Sequence, residues 1–245
     1  MSIAVAIVCK TPIPGNSKTR LCPPLRPEEC AEISACFIQD LSQTISQLTA
    51  DGVVGYALYT PRGSEDALRK LVPGGFEFAL QTEGNLGARL YQGMVDLLSA
   101  GHEGVILVNS DSPTLPLSIL RDAVAATRRA DCVVLSPAVD GGYTLIGLSK
   151  PHAQLFAEIP WSTSAVYDLT LSRARELDLP VVTVPGWYDV DDDTSLGILE
   201  NELAGGGVAF SQLTGADAPA TRRFLRNRQV SPAERPGRLM PDGEW

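Results

Sequence analysis

Seven short apolar runs recur along the chain, and longer segments between them repeat apolar residues every three or four positions. The first run, Ile3–Cys9, ends at a Lys-Thr-Pro turn, as is typical of a strand covered on both faces in a parallel sheet. The pattern therefore predicts seven strands: Ile3–Cys9, Val53–Tyr59, Phe76–Leu80, Val105–Asn109, Cys132–Ser136, Tyr143–Leu148 and Val181–Val184.

The intervening periodic segments predict helices. The first, Pro27–Leu48, opens with a proline and two glutamates, which favour the first turn of a helix. The others are Ser64–Leu71, Leu86–Leu98, Leu117–Arg129 and Ser164–Leu177. Strands that alternate with helices indicate an α/β fold, with a mostly parallel twisted sheet and helices on both faces. Such sheets bind ligands outside the carboxyl ends of their strands, so the loops there are where chemistry is expected.

Composition limits the class of protein. A chain of 245 residues that is 44% hydrophobic can bury a full core in one domain. The triplet Gly205-Gly206-Gly207 predicts a division into a main domain, 1–204, and a partly irregular extension, 205–245, of which 229–245 is expected to be poorly ordered. The net charge of −9 argues against nucleic acid as a partner.

Location follows from what the sequence lacks. The five cysteines are scattered and never spaced as CxxC, which fits a reducing compartment. No run of about 18 apolar residues occurs, and the chain starts without a basic leader segment. We therefore expect a cytoplasmic protein that does not contact a membrane.

The loop after the first strand concentrates positive charge. Lys10, Lys18 and Arg20 fall within eleven residues, around Gly15 and two prolines. Glycine lets the backbone approach an anion closely, and the cations supply charge, so this loop is a candidate phosphate-binding site. The spacing differs from a P-loop. A solvated basic loop is the alternative.

Two acidic segments follow later strands. Asp111 comes directly after the fourth strand, and Asp191 lies within the run Asp189–Asp193. Carboxylates at strand ends suit Mg²⁺ or Mn²⁺ that carries phosphate oxygens. Asp111 could instead cap the next helix, and the acidic run could be a solvated loop. The two acids combined with a cationic loop favour a metal-assisted transfer site, with Ser110 among the nucleotide-binding residues.

Two further groups of residues are candidates for substrate contacts. The first group is a turn that leads into a helix and comprises Gly84, Asn85 and Gly87. We expect this turn to lie near the nucleotide, and the alternative interpretation is an ordinary helix start. The second group is expected to line an acceptor site, although a plain hairpin turn and helix capping would explain it equally well. It comprises Asp140, Gly141, Gly142, Tyr143, Trp161, Ser162 and Thr163.

Six motifs in order give the chain a specific resemblance. They are KTPIPGNSKTRL, QTEGNLGARL, NSDSPTLP, DGGYTLIGL, EIPWSTSAVYDLT and YDVDDDTSL. Together they resemble the bacterial family DUF2064, GT-A superfamily proteins named as candidate glycosyltransferases and related to the phospholactate guanylyltransferases of cofactor F420 synthesis. The resemblance spans roughly residues 1–203.

This resemblance carries implications for fold and site. It implies a GT-A, nucleotide-diphospho-sugar transferase-like fold, with 1–204 as a nucleotide-dependent transferase domain. Lys10, Lys18 and Arg20 would face the phosphates, and the glycine-rich helix start would lie near the nucleoside. Asp111 and Asp191 would bind the metal. The chain departs from the family pattern at Ser112, where cysteine is more usual, and at Ser195, where an acidic residue is usual.

Three hypotheses on function stay open. The first, slightly favoured, is glycosyl transfer from a nucleotide sugar to a small acceptor, with Lys18, Arg20 and Asp111 as the catalytic residues. In the second, an NTP donates NMP to a phosphorylated small molecule and releases pyrophosphate, which the cationic loop favours because a triphosphate needs more neutralisation. The third is a nucleotide-binding module without catalysis.

Overall fold

A computed structural model of the chain describes residues 2–230, which form a seven-stranded sheet with the order β3-β2-β1-β4-β6-β5-β7. Each predicted strand is present. The strands are β1 (Ile3–Lys10), β2 (Val53–Thr60), β3 (Glu77–Leu80), β4 (Gly104–Asn109), β5 (Val133–Pro137), β6 (Tyr143–Leu148) and β7 (Val181–Thr183). Strand β6 runs antiparallel to its neighbours β4 and β5, and the other pairings are parallel. The mostly parallel sheet is confirmed.

Seven α-helices accompany the sheet among residues 2–230. They are α1 (Pro27–Ser46), α2 (Glu65–Arg69), α3 (Leu86–Ser99), α4 (Leu117–Arg129), α5 (Val166–Glu176), α6 (Asp193–Asn201) and α7 (Pro219–Val230). The first five lie where the periodicity predicts them. Some boundaries were wrong. Helices α1 and α2 each end two residues earlier than predicted, and α5 begins at Val166, not Ser164, after an N-cap residue, Ala165, whose methyl group cannot accept a hydrogen bond. No helix in this described part of the chain is long and apolar enough to cross a membrane.

Alternate residues of β1 point to opposite faces of the sheet, as the two-residue period of a strand requires. Ile3 and Ile7 pack in one apolar cluster with α1, and Ala4 and Ala6 pack in a second with α3. All four side chains are fully buried. A strand covered on both faces has to be apolar throughout, which explains the unbroken run of the first strand.

The C-terminal helix is attached to the main body through a buried carboxylate. Asp40 on α1 is 1% exposed and accepts hydrogen bonds from the backbone N–H groups of Ala220 and Thr221, at 2.9 and 2.8 Å. It thereby satisfies two of the free donors in the first turn of α7. The division at residue 204 stays a prediction. Of the segment 229–245, residues 229 and 230 end α7, and 231–245 lie outside the described residues.

The connection order decides where the loops meet. From β1 the chain proceeds to β2 and β3 on one side and later returns to β4 on the other side of β1. The connections after β1 and β4 therefore leave in opposite directions, and a crevice opens between them at the carboxyl edge of the sheet. The cationic loop and Asp111 follow these two strands.

Candidate active site

The loop after β1 holds Lys18 in a left-handed backbone conformation, with φ of 48°. A short 3₁₀ turn, Thr19–Leu21, follows it, and Leu21 is fully buried in the core. This anchor fixes the loop against the body of the protein. The Lys18 side chain is consequently directed inward and is only 8% exposed.

The Lys18 ammonium group uses each of its three hydrogens. Nζ lies 2.8 Å from Asp111 Oδ2, 3.0 Å from Asp191 Oδ1 and 2.8 Å from the carbonyl oxygen of Val190. An ammonium has three donors, so it is fully satisfied here. Burial acts to lower the pKa of Lys18, but the charges of Asp111 and Asp191 outweigh it and raise that pKa above its ordinary value. Lys18 thus joins the two predicted metal ligands.

Asp191 also binds the second cation of the loop. Arg20 Nη2 donates to Asp191 Oδ2 at 2.7 Å, and the Arg20 side chain is 70% exposed. Burial acts to raise the pKa of Asp191, but Lys18 and Arg20 lower it below its ordinary value. The carboxylate is therefore held in its charged form.

Asp111 occupies the turn after β4. Its carboxylate accepts from the Ser110 hydroxyl at 2.9 Å, and its carbonyl oxygen accepts from the N–H of Val190 at 2.8 Å. Helix α4 begins later, after Pro116, so Asp111 does not cap it. The backbone bond to Val190 instead fixes the Asp111 turn beside the segment that carries Asp191.

A third carboxylate, Asp189, lies behind these two, and the sequence analysis did not assign it a role. It accepts hydrogen bonds from the Ser112 hydroxyl, at 2.5 Å, and from Asn109 Nδ2, at 3.4 Å. Burial and the nearby charges of Asp111 and Asp191 raise the pKa of Asp189 to about 7, against the effect of Ser112. The acidic run pointed to this position, but four neighbouring acids gave no means of ranking them.

The carboxylates suit a divalent ion that arrives with a nucleotide. Within residues 2–230 no cluster of three or more His, Cys, Asp or Glu side chains forms a closed metal cage. Mg²⁺ usually binds one or two carboxylates and completes its shell with phosphate oxygens and water. Asp111 and Asp191, 31% and 30% exposed, present that donor set at the crevice. These two residues fit the predicted metal.

A cavity of about 310 Å³ opens over these groups. It brings together residues that the sequence analysis predicted from three separate segments. Those in its wall are Lys10, Lys18, Arg20, Ser110, Asp111 and Asp191. Among the other residues of the wall are two polar side chains that were not predicted site residues, namely Gln81, directly after β3, and Arg89 on α3. Cations and carboxylates thus face one space, which is large enough for part of a nucleotide.

The residues predicted near the nucleoside adjoin this cavity and have structural tasks. Asn85 caps α3, because its Oδ1 accepts from the N–H of Ala88 at 2.9 Å. Gly87 lies against Trp161, and a Cβ there would be 2.8 Å from the indole nitrogen. Gly84 has a φ of 119°, and Gly15 in the first loop has a φ of 77°, both in the region that favours glycine. Their proposed contacts with a nucleotide stay predictions.

The residues predicted for the acceptor lie around the β5–β6 hairpin, and none of them belongs to the wall of the cavity. Asp140 accepts from the N–H of Gly142 at 2.9 Å, and Gly141 has a φ of 89° where its backbone touches Ser164. The hairpin turn that the sequence offered as an alternative is therefore present. Asn109 Nδ2 connects this hairpin to the carboxylates through the carbonyl oxygen of Tyr143, at 2.9 Å.

The segment before α5 packs on the same hairpin. The rings of Trp161 and Tyr143 meet edge to face with centroids 6.4 Å apart, and Ser162 has a φ of 65°. Thr163 donates to the carbonyl oxygen of Pro160 at 2.8 Å. The hydroxyl of Tyr143 is buried and has no hydrogen-bond partner among the residues that the structure describes. An acceptor role for this cluster stays a prediction.

Comparison with known proteins gives a family match over part of the chain. Residues 44–163 match the model of the family described as "Uncharacterized protein conserved in bacteria (DUF2064)". The resemblance to DUF2064 is confirmed. The match contains the QTEGNLGARL, NSDSPTLP and DGGYTLIGL motifs, whereas the cationic loop and the DVDDDTSL segment lie outside it. No curated protein matches the sequence.

Solved structures confirm the fold of the chain. A protein from Desulfovibrio desulfuricans G20, described as a candidate nucleotide-diphospho-sugar transferase, is 28% identical with a TM-score of 0.79, over 94% of this chain and 96% of that one. The CMP:2-keto-3-deoxy-manno-octonic acid synthetase in complex with CTP is 13% identical with a TM-score of 0.54, over 84% and 99%.

A glycosyltransferase shares the fold as well. The glucosyl-3-phosphoglycerate synthase from Mycobacterium tuberculosis, in complex with Mn²⁺, UDP and phosphoglyceric acid, is 13% identical with a TM-score of 0.50, over 86% of this chain and 80% of that one. The neighbours thus include both nucleotidyltransferases and glycosyltransferases. The chain has the nucleotide-diphospho-sugar transferase fold and is a transferase.

The two departures from the usual DUF2064 pattern have structural explanations. Ser112 stands where cysteine is more usual, and its hydroxyl donates to Asp189. Ser195 stands where an acidic residue is usual. It forms a reciprocal cap at the start of α6, since its N–H donates to Asp192 Oδ1 and its Oγ accepts from the N–H of Asp192, at 2.9 and 3.0 Å. Helix α6 is therefore capped without the missing acid, and the turn that carries Asp191 is kept.

Proposed function

We propose that the chain is a metal-dependent glycosyltransferase, which takes a sugar from a nucleoside-diphosphate donor and passes it to a small hydroxylated acceptor. The observation that carries this proposal is the shared cavity in which Lys10, Lys18 and Arg20 face Asp111 and Asp191. Phosphate binding and metal binding need these two kinds of charge side by side. The description of the 28% identical relative as a candidate nucleotide-sugar enzyme supports a sugar as the moving group.

Each residue has a defined task in such a transfer. The bond between the anomeric carbon and the phosphate oxygen breaks, the nucleoside diphosphate leaves with the electron pair, and the acceptor hydroxyl forms the new bond and loses its proton. Lys18 and Arg20 neutralise the charge that develops on the leaving phosphate. Asp111 and Asp191 would hold Mg²⁺ or Mn²⁺, which supplies Lewis-acid stabilisation of the same phosphate charge.

Nucleotidyl transfer is the second candidate, and one observation favours it. The loop after β1 brings three basic side chains into the cavity wall, those of Lys10, Lys18 and Arg20. A triphosphate brings more negative charge than a nucleotide sugar and uses more cations. In that reaction an acceptor phosphate attacks the α-phosphorus of an NTP, and pyrophosphate leaves.

A ligand panel distinguishes these candidates. Purified protein is melted with Mn²⁺ in the presence of individual NTPs, nucleoside-diphosphate sugars and nucleoside diphosphates. A ligand at 100 times its Kd should stabilise the fold by about 2.7 kcal/mol. Stabilisation by one nucleotide sugar and its diphosphate supports glycosyl transfer, and stabilisation by one NTP alone supports nucleotidyl transfer. Stabilisation by none of them contradicts nucleotide binding in this cavity.

Asp111→Asn tests whether the site is catalytic. If the chain is an enzyme, this variant keeps its fold and nucleotide binding but loses turnover, measured as release of nucleoside diphosphate or pyrophosphate. If the wild-type protein releases neither product with any donor and a set of hydroxylated and phosphorylated acceptors, a binding module without catalysis is the better description.

A further inference from the structure

Gln81 holds a fixed orientation in the cavity wall. It is 7% exposed, and its Nε2 donates to the carbonyl oxygens of Cys9 and Leu58, at 3.1 and 2.8 Å. Both amide hydrogens are thus used on the ends of β1 and β2. The Oε1 atom has to point the other way, where it accepts from Arg89 Nη1 at 3.1 Å.

This contact leaves one edge of the Arg89 guanidinium without a partner. A guanidinium presents five N–H donors in a planar fork. Because Nη1 is bound to Gln81, the Nε and Nη2 hydrogens form a parallel pair on the other edge. Nε is buried and has no hydrogen-bond partner within residues 2–230. A buried donor without a partner costs stability, and a ligand that draws the Arg89 side chain toward the cavity would supply the missing partner.

The strand order indicates which part of a nucleotide reaches Arg89. Asp111 follows β4, the cationic loop follows β1, and Gln81 follows β3 at the edge of the sheet. Neighbouring strands lie about 4.8 Å apart, so the ends of β4 and β3 are about 14 Å apart. A nucleotide with its phosphates at Asp111 and Lys18 would cross the carboxyl edge of the sheet and place its base near Arg89.

We propose that Arg89, oriented by Gln81, determines which nucleobase the protein accepts. Two parallel donors match a base with two adjacent acceptors on one edge. Guanine presents O6 and N7, and cytosine presents O2 and N3. Adenine has its amino group beside N7 and N1, and uracil has N3–H between its two carbonyl groups. In both bases an N–H donor would therefore face one of the N–H donors of Arg89. The protein should therefore take guanine or cytosine nucleotides. This inference depends on the proposed function, which places a nucleotide in the cavity.

The experiment compares GDP, CDP, ADP and UDP, each with Mn²⁺, by titration calorimetry. These diphosphates carry the base and phosphates common to both donor types. We expect GDP or CDP to bind about 10-fold or more tightly than ADP and UDP. Arg89→Lys keeps the positive charge but removes the pair of parallel donors. It should weaken the binding of the preferred diphosphate by about 10-fold or more and leave the affinities for ADP and UDP nearly unchanged. Arg121→Lys, an exposed arginine on α4, is the matched control.

The outcomes separate this inference from the proposed function. If the wild-type protein binds all four diphosphates equally, Arg89 does not read the base, although nucleotide binding stands. If Arg89→Lys weakens all four equally, Arg89 contacts a phosphate and the inference is wrong. Binding of none of the four contradicts both. If Arg89→Lys does not fold, the wild-type order of affinities decides alone, since a preference for ADP or UDP overturns the inference.

Discussion

The Lys18 ammonium neutralises two carboxylates at once, so its removal should both destabilise the protein and change its affinity for metal. Asp111 and Asp191 contact the same nitrogen, at 2.8 and 3.0 Å. Lys18→Met keeps an unbranched apolar side chain that ends one atom short of Nζ, and it removes the charge. Two unit charges within about 6 Å repel each other by about 0.7 to 3 kcal/mol, for effective dielectric constants between about 80 and 20.

The carboxylates are about one third exposed, so solvent and ions will screen part of this repulsion. We expect Lys18→Met to lose about 1 to 2 kcal/mol of stability, which for a domain of this size lowers Tm by about 2 to 8 °C. Without nucleotide, Mn²⁺ should raise the Tm of Lys18→Met more than it raises the Tm of the wild-type protein, because in the variant the ion takes the place of the ammonium. Thermal melts with and without Mn²⁺, and Mn²⁺ titration followed by electron paramagnetic resonance, measure both effects.

Lys150→Met is the matched control, since Lys150 pairs with Asp131 at 3.0 Å and is 66% exposed. Surface pairs of this kind contribute little, so its Tm and its response to Mn²⁺ should match those of the wild-type protein. The reasoning is refuted if Lys18→Met melts like the wild-type protein and binds Mn²⁺ no more tightly.

Four further substitutions test other parts of the structure. Asp111→Asn should lower turnover by about 100-fold or more and leave the melting curve nearly unchanged, as measured by product release and circular dichroism; normal turnover would contradict its role. Asp40→Ala leaves the first N–H groups of α7 unpaired and should cost about 1 to 3 kcal/mol in urea unfolding. Burial raises the pKa of Asp40 above its ordinary value of 3.8, so the folded state binds the Asp40 proton more tightly than the unfolded state. The destabilisation caused by Asp40→Ala should therefore be largest below pH 3.8 and decrease as the pH rises through the pKa of Asp40 in the folded state. Gly87→Ala forces a Cβ against the carbonyl oxygen of Phe156 and the Trp161 ring, and should cost about 1 to 3 kcal/mol. Gly197→Ala, in open space on α6, should instead stabilise by about 0.5 to 1 kcal/mol.

The strands were predictable because a strand covered on both faces leaves a continuous apolar run, such as Ile3–Cys9, that few other structures produce. The position of the cavity was predictable too, because parallel sheets bind ligands at their carboxyl ends. The start of helix α5 was harder to predict. Trp161-Ser162-Thr163 has the hydroxyls of a helix cap, yet packing of this segment on the β5–β6 hairpin delays the helix to Val166.

The pairings inside the site could not be predicted from sequence. Lys18 is separated from Asp191 by 173 positions along the chain, and only the order of the strands brings their side chains together. Gln81 belongs to no charge cluster, and its role follows solely from the carbonyl oxygens of β1 and β2 that it contacts. Such contacts depend on three-dimensional distances that local patterns do not contain.

Under the proposed function, the pairing of Lys18 predicts that phosphate and metal bind cooperatively. While Lys18 and Arg20 bind the carboxylates, two positive charges offset two negative ones, and a divalent ion must compete with a resident cation. Phosphates that draw Lys18 away leave Asp111 and Asp191 free for the ion. Couplings of this kind are typically about 5- to 150-fold in affinity.

Mn²⁺ affinity measured with and without a saturating nucleoside diphosphate tests this coupling. The ion also binds the nucleotide directly, and that part of the effect persists in every variant. The part of the increase in Mn²⁺ affinity that depends on Lys18 should disappear in Lys18→Met. Without nucleotide, the Mn²⁺ affinity of this variant should already lie nearer to that of the wild-type protein with bound nucleoside diphosphate. If the nucleotide strengthens Mn²⁺ binding equally in both proteins, the ammonium does not compete with the metal, and its contact with the carboxylates serves stability alone.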